Sequence, residues 1–299
     1  MLFSVIIPAF NRMPFLPSTL ASVRAQRFTD FETIIVDDGS TDGTREYLRT
    51  LDHIRLVEQP RGGPGAARNA GAVVARGDHL AFLDSDDVWL PWTLSVMAQV
   101  IAERGPAMIA GRYVDVASDA AAAGIGEQSL EYQYFDDYLR SSRHPVSTGA
   151  GTLVIARHAF ANSGGFATRP ANMEDHDLAL RLGTAPGFVS ISNPVTIAWR
   201  RHGATETADL SKSIAGANVL VSAERSGAYP GGAARADERR RIITRHVRPI
   251  AMECLRMGRR RDGHRLYRST FGWNAGAGHW AYLAAFPVLS AWSSVRRAA

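Results

Sequence analysis

Three carboxylates crowd the end of an apolar segment in the stretch HLAFLDSDDVW, residues 79–89. The apolar residues predict a buried strand, and Asp84 and Asp86 point to the same side of the chain if that strand continues. Two carboxylates that point together repel unless a cation or a proton lies between them. Divalent ions such as Mg²⁺ and Mn²⁺ prefer oxygen ligands of this kind and often share them with substrate phosphates. The pattern indicates a divalent-metal site or, as the alternative, a solvated turn that caps a following helix.

A second acidic cluster follows another apolar strand, in VDDGSTDGT at residues 36–44. Gly39 permits a tight turn, and Asp42 is placed to cap the next helix. A cap does not account for the adjacent pair Asp37 and Asp38. Because a carboxylate at the end of a strand can accept hydrogen bonds from a nucleobase or a ribose, we assign Asp38 to a nucleotide base.

A Gly-rich segment, GGPGAARNAG at residues 62–71, has some features of a dinucleotide-binding loop. It lacks the third glycine of that fingerprint and follows a third strand, so it is a poor match to a Rossmann cofactor loop. Two alternatives remain open for this segment. Gly65 would let the backbone approach a diphosphate while Arg68 supplies positive charge, or Arg68 would form an internal ion pair in a helix packed closely on the sheet.

Strand-like and helix-like segments alternate along the chain. Continuous apolar runs are typical of strands buried on both faces, and segments with apolar residues at helical spacing follow most of them. The predicted strands are 3–10, 34–36, 54–59, 79–85, 107–116, 151–160 and 188–202; the predicted helices are 14–26, the segment after Thr44, 63–77, 90–105 and 174–183; residues 117–129 have the composition of a loop. This order predicts an α/β domain with a mostly parallel, doubly wound sheet whose ligands bind at the carboxyl ends of the strands.

Composition narrows the cellular setting. Cys254 is the only cysteine, which excludes an intramolecular disulfide and any multi-cysteine zinc or iron–sulfur site, and fits a reducing compartment. The first ten residues, MLFSVIIPAF, lack a basic amino-terminal region and are interpreted as a strand rather than as a signal peptide. We therefore expect a cytoplasmic protein.

Positive charge is concentrated towards the carboxyl terminus. From Arg225 onward there are 15 Arg and 4 acidic residues, a net charge of +11, so the preceding residues sum to −6. Gly, Pro and Ala cluster in 227–238 and predict a boundary, with a catalytic domain over 1–225 and a basic helical extension over 226–299. The Arg-rich helices lack the interleaved aromatic residues of a nucleic-acid stacking platform, so nucleic acid is not an expected partner.

The stretch WAYLAAFPVLSAW, residues 280–292, is too short for a clean membrane span and carries a tryptophan at each end. Beside basic helices, such a segment is typical of peripheral contact with an anionic membrane surface, here on the cytoplasmic face. The alternative is a carboxyl-terminal helix docked on the catalytic domain. The sequence leaves both open.

Taken together, the segments resemble the inverting glycosyltransferases of family 2, which have the GT-A fold. Individual segments are weak signals, but their common order over about three quarters of the chain is specific. The matching segments are FSVIIPAFNR (3–12), VDDGSTDGT (36–44), GPGAARNAG (63–71), AFLDSDDVWLP (81–91), GGF (164–166), EDHDLALRL (174–182) and RRHGAT (200–205).

The resemblance implies a nucleotide-diphospho-sugar transferase fold, with a Rossmann-like, mostly parallel sheet flanked by helices and a helical carboxyl-terminal extension. It also implies a role for single residues. Asp175 matches the general base, Asp86 and His202 match metal ligands, and the donor nucleotide-sugar is expected to contact Pro8, Phe10, Asp38, Arg68, Asp84 and Ser85.

The implied reaction is transfer of a sugar from a nucleotide-diphosphate sugar, expected to be a UDP-sugar, to a hydroxyl of a glycan or lipid-linked saccharide. A hexosyltransferase of this kind in cell-surface polysaccharide synthesis would use Mn²⁺ or Mg²⁺ to stabilise charge on the leaving diphosphate. A carboxylate on the opposite face takes the proton of the incoming hydroxyl. A single displacement then inverts the anomeric centre.

Two other enzyme classes match parts of the sequence. LAFLDSDDV also fits the first motif of the haloacid-dehalogenase phosphatases, which need a lysine followed by an acidic pair at a strand end. Lys212 is the only lysine, and the acidic residues after it are scattered. A nucleotide-binding oxidoreductase is the further alternative, disfavoured by the incomplete glycine fingerprint.

Overall fold

The structure of the protein, a computed structural model, describes residues 1–169, 171–201 and 209–295. The chain forms two compact units. The described part of the first unit comprises residues 1–138, 146–169 and 174–201, and that of the second comprises 139–145, 171–173 and 209–295.

The first unit contains the sheet and its flanking helices. Its strands are β1 (Phe3–Ala9), β2 (Phe31–Asp37), β3 (Arg55–Glu58), β4 (His79–Phe82), β5 (Val88–Trp89), β6 (Met108–Val116), β7 (Glu131–Phe135), β8 (Leu153–Ala156) and β9 (Phe188–Arg200). Its helices are α1 (Leu16–Arg24), α2 (Thr44–Arg49), α3 (Pro64–Val74), α4 (Thr93–Arg104), α5 (Asp119–Ala123), α6 (Arg157–Ser163) and α7 (Glu174–Arg181).

Within the described residues, the strands form one sheet in the order β3-β2-β1-β4-β8-β6-β9-β5, and β7 also pairs with β9. The pairs among β3, β2, β1 and β4 are parallel, as is the pair of β6 with β9, whereas β8 runs antiparallel to both of its neighbours. In register, Ala9 of β1 lies opposite Asp37 of β2, and Ile6 lies opposite Phe82 of β4. The carboxyl ends of β1, β2 and β4 therefore meet at one edge of the sheet.

The parallel part of the sheet is apolar on both faces because helices cover it. Every residue of β1 is buried, as the uninterrupted run FSVIIPA requires. Helix α3 packs so closely on this strand that a β-carbon at Gly71 would lie 2.5 Å from Ile6 Cγ2. This approach holds the start of α3 at the carboxyl edge of the sheet.

The predicted α/β class is confirmed, and three local predictions are wrong. The segment 151–160 is not one strand: a short 3₁₀ turn (Ala150–Thr152) precedes β8, and α6 follows it. The predicted loop 117–129 contains α5. The helix predicted from residue 90 begins at Thr93, because Trp89 pairs with Ile197 in the sheet.

The second unit is helical, as the sequence predicts for the carboxyl-terminal part of the chain. Its helices are α8 (Leu210–Arg225), α9 (Ala236–Arg256), α10 (Arg260–Gly276) and α11 (Trp280–Val295). A buried ion pair joins α9 to α8, with Arg239 Nε 2.6 Å from Glu224 Oε2. Helix α8 lies in this unit, so the compact units divide the chain before residue 210 and not at the boundary predicted between 225 and 226.

None of the helices in the described parts of the chain combines the length and the apolar character needed to cross a membrane. Cys254 on α9 is buried, as expected for a small apolar residue in a helix interface.

Candidate active site

The acidic cluster lies at the carboxyl edge of the sheet, directly after β4. The side chains of Asp84 and Asp86 are 32% and 14% exposed, so both carboxylates can be reached from solvent. The backbone N–H of Asp87 donates to the Asp84 carbonyl at 3.1 Å, which closes a tight turn. Strand β4 ends at Phe82, so the strand predicted over 79–85 stops before Asp84 and does not itself set the direction of the two carboxylates; their roles stay predictions.

Asp87 differs from Asp84 and Asp86 because its carboxylate is buried and bonded to a neighbouring strand. It is buried, and its Oδ1 accepts a hydrogen bond from the backbone N–H of Arg200 in β9 at 3.1 Å. Burial, together with the carboxylates of Asp84 and Asp86, raises the pKa of Asp87 to about 9. The residue is followed by strand β5, so the helix-cap alternative for this stretch is wrong.

Arg200, the last residue of β9, holds the turn that carries Asp84, Asp86 and Asp87. Its guanidinium donates to the Asp86 carbonyl at 2.5 Å and to Thr19 Oγ1 at 2.7 Å, and it pairs with Asp119 at 3.0 Å. Because the group is buried and makes several hydrogen bonds, it fixes the backbone that carries Asp86. Asp86 in turn lies 3.4 Å from Nε of Arg12, the residue that follows β1 by three positions.

Arg68 connects two acidic residues that are far apart in the sequence. Its Nη2 lies 2.6 Å from Asp84 Oδ1, and its Nη1 lies 3.0 Å from Glu174 Oε1 at the start of α7. The side chain is buried and lies over the Phe166 ring, 5.1 Å from its centroid. The internal ion pair that the sequence left open is thus present, while direct contact between Arg68 and a diphosphate stays a prediction.

The close approach at Gly65 also has an internal reason. A β-carbon at this position would lie 2.3 Å from the Ala167 carbonyl oxygen, which leaves no space for a side chain. The glycine therefore lets the first turn of α3 pack against the backbone that leads towards α7. This packing places Arg68 within reach of Glu174.

The carboxylate of Asp175 is bonded to the 3₁₀ turn that precedes β8. Its Oδ2 accepts from the backbone N–H of Ala150 at 3.1 Å. The next residue of this 3₁₀ turn, Gly151, faces the cluster after β4, since a β-carbon there would lie 3.1 Å from Asp84 Oδ2. Thr148, just before the turn, lies 3.1 Å from His176 Nδ1. One turn therefore donates a hydrogen bond to Asp175 through Ala150 and lies beside Asp84 at Gly151.

Asp38 lies at the end of β2, where its carboxylate organises the loop before α3. Oδ1 accepts from Gln59 Nε2 and from Gly62 N, each at 2.7 Å, and Oδ2 accepts from Gly63 N at 2.8 Å. Its neighbour Asp37 is buried and pairs with Arg45 of α2 at 2.8 Å. The two acidic residues therefore support different segments, and the contact of Asp38 with a nucleobase stays a prediction.

The remaining predicted donor contacts differ in accessibility. Phe10 is half-buried and is covered by the guanidinium of Arg61, whose Cζ lies 3.2 Å from the ring centroid. Pro8 lies inside the fully buried strand β1. Ser85 is buried, and its carbonyl accepts from Thr19 Oγ1 at 3.0 Å. The roles of these three residues in donor binding stay predictions.

Asp86, predicted as a metal ligand, and Asp84, predicted to face the donor, both provide carboxylate oxygens here, beside Arg12 and Arg68. Asp84 and Asp86 lie on one turn beside the buried Asp87, whose pKa is raised first by burial and then by these two carboxylates. Among the described residues, however, no group of three or more His, Cys, Asp or Glu side chains is arranged to hold a metal ion. The predicted ligand His202 lies outside the described residues. Two accessible carboxylates suit a hard divalent ion that takes its other ligands from a diphosphate and water.

A family model described as Glycosyl transferase family 2 matches residues 4–164, which is more than half of the chain. The chain belongs to glycosyl transferase family 2. This assignment decides against the phosphatase and oxidoreductase alternatives.

Individual relatives of this family 2 member cover different shares of it. An uncharacterized glycosyltransferase of Haemophilus influenzae is 30% identical over 224 residues, which cover 71% of this chain and 74% of the relative. Succinoglycan biosynthesis protein ExoW of Rhizobium meliloti is 44% identical over 96 residues, which cover 29% of this chain and 30% of ExoW. The chain spans about a third of the length of several other curated relatives that it matches.

A solved structure supports the fold assignment of this family 2 member. The crystal structure of S. aureus TarS 1–349 in complex with UDP-GlcNAc matches with a TM-score of 0.69 and 22% sequence identity, over 82% of this chain and 72% of that chain. The predicted GT-A fold is thereby confirmed.

Sequence reasoning missed four contributors to this site: Arg12, Arg200, Glu174 as the partner of Arg68, and the turn at 150–152. Arg200 and Glu174 stand inside segments that match the family, but their partners are distant. Arg68 and Glu174 are 106 residues apart, and Arg200 and Asp87 are 113 residues apart. No local pattern marks such pairs.

Proposed function

We propose that this family 2 member transfers a sugar from a nucleotide-diphosphate sugar to an acceptor hydroxyl, with inversion at the anomeric carbon. One observation supports the proposal most strongly. The ion pairs of Arg68 join Asp84, at the donor edge, to Glu174, which precedes the proposed base Asp175. The Ala150–Thr152 turn supports the same arrangement, since Ala150 donates its backbone N–H to Asp175 and Gly151 lies beside Asp84. These contacts support a displacement site in which the donor edge and the base lie on adjoining segments.

The donor is proposed to be a UDP-sugar, with its base between β1 and β2. An ionised carboxylate has about four acceptor positions, and three hydrogen bonds to Asp38 are present. Asp38 is buried, and among the described residues these three bonds leave it one acceptor position, which we assign to the imide N–H of uracil. Phe10 offers a ring face to the base if the Arg61 guanidinium moves from its place over that ring.

Asp86 is proposed to hold a divalent ion, Mn²⁺ or Mg²⁺, with Asp84 beside it facing the donor. When bound, such an ion supplies positive charge that stabilises the leaving diphosphate. Arg200 fixes the backbone of this turn through its hydrogen bond to the Asp86 carbonyl. Arg68 fixes the Asp84 carboxylate through its ion pair with Oδ1. His202 stays a proposed further ligand outside the described residues.

Asp175 is proposed as the general base. Its two oxygens accept backbone hydrogen bonds from Ala150 and His176, which orient the carboxylate without neutralising it. As the new glycosidic bond forms from the acceptor oxygen to the anomeric carbon, Asp175 takes the hydroxyl proton and the diphosphate leaves on the opposite face. This single displacement gives inversion.

The acceptor is proposed to be a glycan or lipid-linked saccharide, in the synthesis of a cell-surface polysaccharide. Support comes from a relative, since ExoW is named as a succinoglycan biosynthesis protein. We also propose that the enzyme works in the cytoplasm, at the cytoplasmic face of the membrane. The buried, unpaired Cys254 suits a reducing compartment.

Two variants test the assignment of roles, with the exposed Asp52→Asn as matched control. Asp86→Ala is expected to lose Mn²⁺-dependent binding of UDP, measured by titration calorimetry. Asp175→Asn is expected to bind UDP as the wild type does, yet to lose at least 100-fold in the acceptor-dependent release of UDP from a panel of UDP-sugars. Substantial turnover by Asp175→Asn would remove this residue from the base role, while the donor assignment would stand on the binding data.

A further inference from the structure

Helix α11 exposes one continuous apolar face. Trp280 is 63% exposed, Val288 67% and Trp292 55%. The opposite side packs within the second unit, where Phe286 is fully buried and stacks on Tyr267 of α10 with the ring centroids 4.4 Å apart. The sequence of α11 contains no charged residue, and its exposed residues as far as Trp292 are Trp280, Ala281, Ala284, Ala285, Pro287, Val288, Leu289, Ala291 and Trp292. An apolar surface of this extent marks an interaction site.

The neighbouring helix α10 adds positive charge to the same hairpin. Arg261, Arg265 and Arg268 are exposed and follow one another at helical spacing, so they form a stripe along α10. Asp262 is the only acidic residue of α10, and it pairs with Arg259 at 2.8 Å and with Arg265 at 3.7 Å. The surface presented by the hairpin is thus apolar on α11 and cationic on α10.

We propose that the α10–α11 hairpin docks on an anionic membrane surface, with α11 lying flat in the interface. The exposed apolar residues extend along α11 from Trp280 to Trp292, so the helix would be immersed along its side and not by one end. Indole rings prefer the boundary between hydrocarbon and headgroups, which suits a tryptophan at each end of the apolar face. The Arg261, Arg265 and Arg268 stripe matches the negative potential of anionic lipid headgroups.

The positive charge of α10 also favours an anionic membrane over a second copy of the chain as the partner of this hairpin. A symmetric dimer through the hairpin would place identical surfaces against each other. The arginine stripes of the two copies would then lie close together with an excess of positive charge, since Asp262, the one acidic residue of α10, already pairs with Arg259 and Arg265. An anionic lipid surface removes this repulsion.

Sedimentation of the full chain with lipid vesicles tests the proposal. The wild type is expected to bind vesicles of phosphatidylcholine mixed with phosphatidylglycerol, and to bind pure phosphatidylcholine much less. The triple variant Arg261→Gln, Arg265→Gln, Arg268→Gln is expected to lose about 100-fold in partitioning, because each arginine near an anionic surface contributes about fivefold. Its matched control is Arg24→Gln, Arg76→Gln, Arg157→Gln, three exposed arginines of the first unit, and should bind as the wild type does.

The apolar face is tested by Trp280→Gln combined with Val288→Gln. Both side chains are exposed, so the variant should fold normally, which circular dichroism checks, and should lose at least tenfold in partitioning. Val73→Gln, at an 84% exposed residue of α3, is its matched control. Equal binding of the wild type to neutral and anionic vesicles, or variants that bind as their controls do, would overturn the proposal. A concentration-dependent dimer that the Trp280 and Val288 changes dissociate, without vesicle binding, would overturn it in favour of a second copy.

Discussion

Replacing Arg68 by Met is expected to cost a large part of the stability of the first unit. The change keeps an unbranched side chain of similar length but leaves the carboxylates of Asp84 and Glu174 without their shared partner. Removing one member of a buried ion pair costs about 3–5 kcal/mol. Because the side chain of Asp84 retains 32% exposure, water can compensate part of the loss, and we expect about 3 kcal/mol.

The same change should also alter protonation at the start of α7. Burial and the neighbouring Asp175 carboxylate raise the pKa of Glu174, and Arg68 opposes this rise. Without Arg68 the pKa of Glu174 should rise further, so a neutral Glu174 becomes more favourable in the folded state. Adding Glu174→Gln to the Arg68→Met variant should therefore recover part of the lost stability.

Urea denaturation, followed by tryptophan fluorescence, measures the free energy of unfolding of these variants. Arg49→Met is the matched control, because Arg49 forms a two-bond pair with Glu58, each bond 2.8 Å long, at the surface. An exposed pair contributes less than about 1 kcal/mol. A loss of less than about 1 kcal/mol for Arg68→Met, or a loss equal to that of Arg49→Met, would refute the account of Arg68 as a buried connector.

Three further predictions concern other parts of the chain. Gly151→Ala brings a methyl group to 3.1 Å from Asp84 Oδ2, so the KM for the donor should rise several-fold with stability nearly unchanged; an unchanged KM would contradict the role of this turn. Burial raises the pKa of the Cys254 thiol to about 11, so Ellman's reagent at pH 8 should label it only after denaturation, and rapid labelling of the native protein would disprove its burial. Burial lowers the pKa of His79 from its ordinary 6.5, so the unfolded state binds more protons as the pH falls below about 6.5, and stability should fall in that range; His79→Gln should flatten this dependence, and an equal slope in both proteins would count against it.

The edge of the sheet was predictable because its signal is local. An apolar run of strand length predicts a strand, and the acidic residues after it mark where that strand ends. Asp37 and Asp38 mark the end of one strand, and Asp84 and Asp86 that of another. Parallel pairing then brings those ends together, as the register of β1 with β2 and β4 shows. The α/β class and the order of its first elements follow from the same pattern.

The connections inside the site were not predictable, because they depend on side chains that meet only after folding. The sequence presents Arg68 as a cation near a glycine-rich turn, which fits a phosphate as well as an ion pair. Only the approach of α3 to residues 166–167 decides that it lies beside Glu174. Similarly, the antiparallel pairing of Val88 and Trp89 with β9 forms strand β5 just before the helix predicted from residue 90, and no local pattern marks that strand.

The most direct test of the central claim is a thermal-shift screen of the full chain with nucleoside diphosphates and nucleotide-sugars, each with Mn²⁺ and with EDTA. The account predicts that UDP and one or more UDP-sugars raise the melting temperature in the presence of Mn²⁺, and that Asp86→Ala abolishes this rise. Stabilisation by UDP that is equal in EDTA and in the Asp86→Ala variant, or stabilisation by no nucleotide-sugar at all, would contradict it.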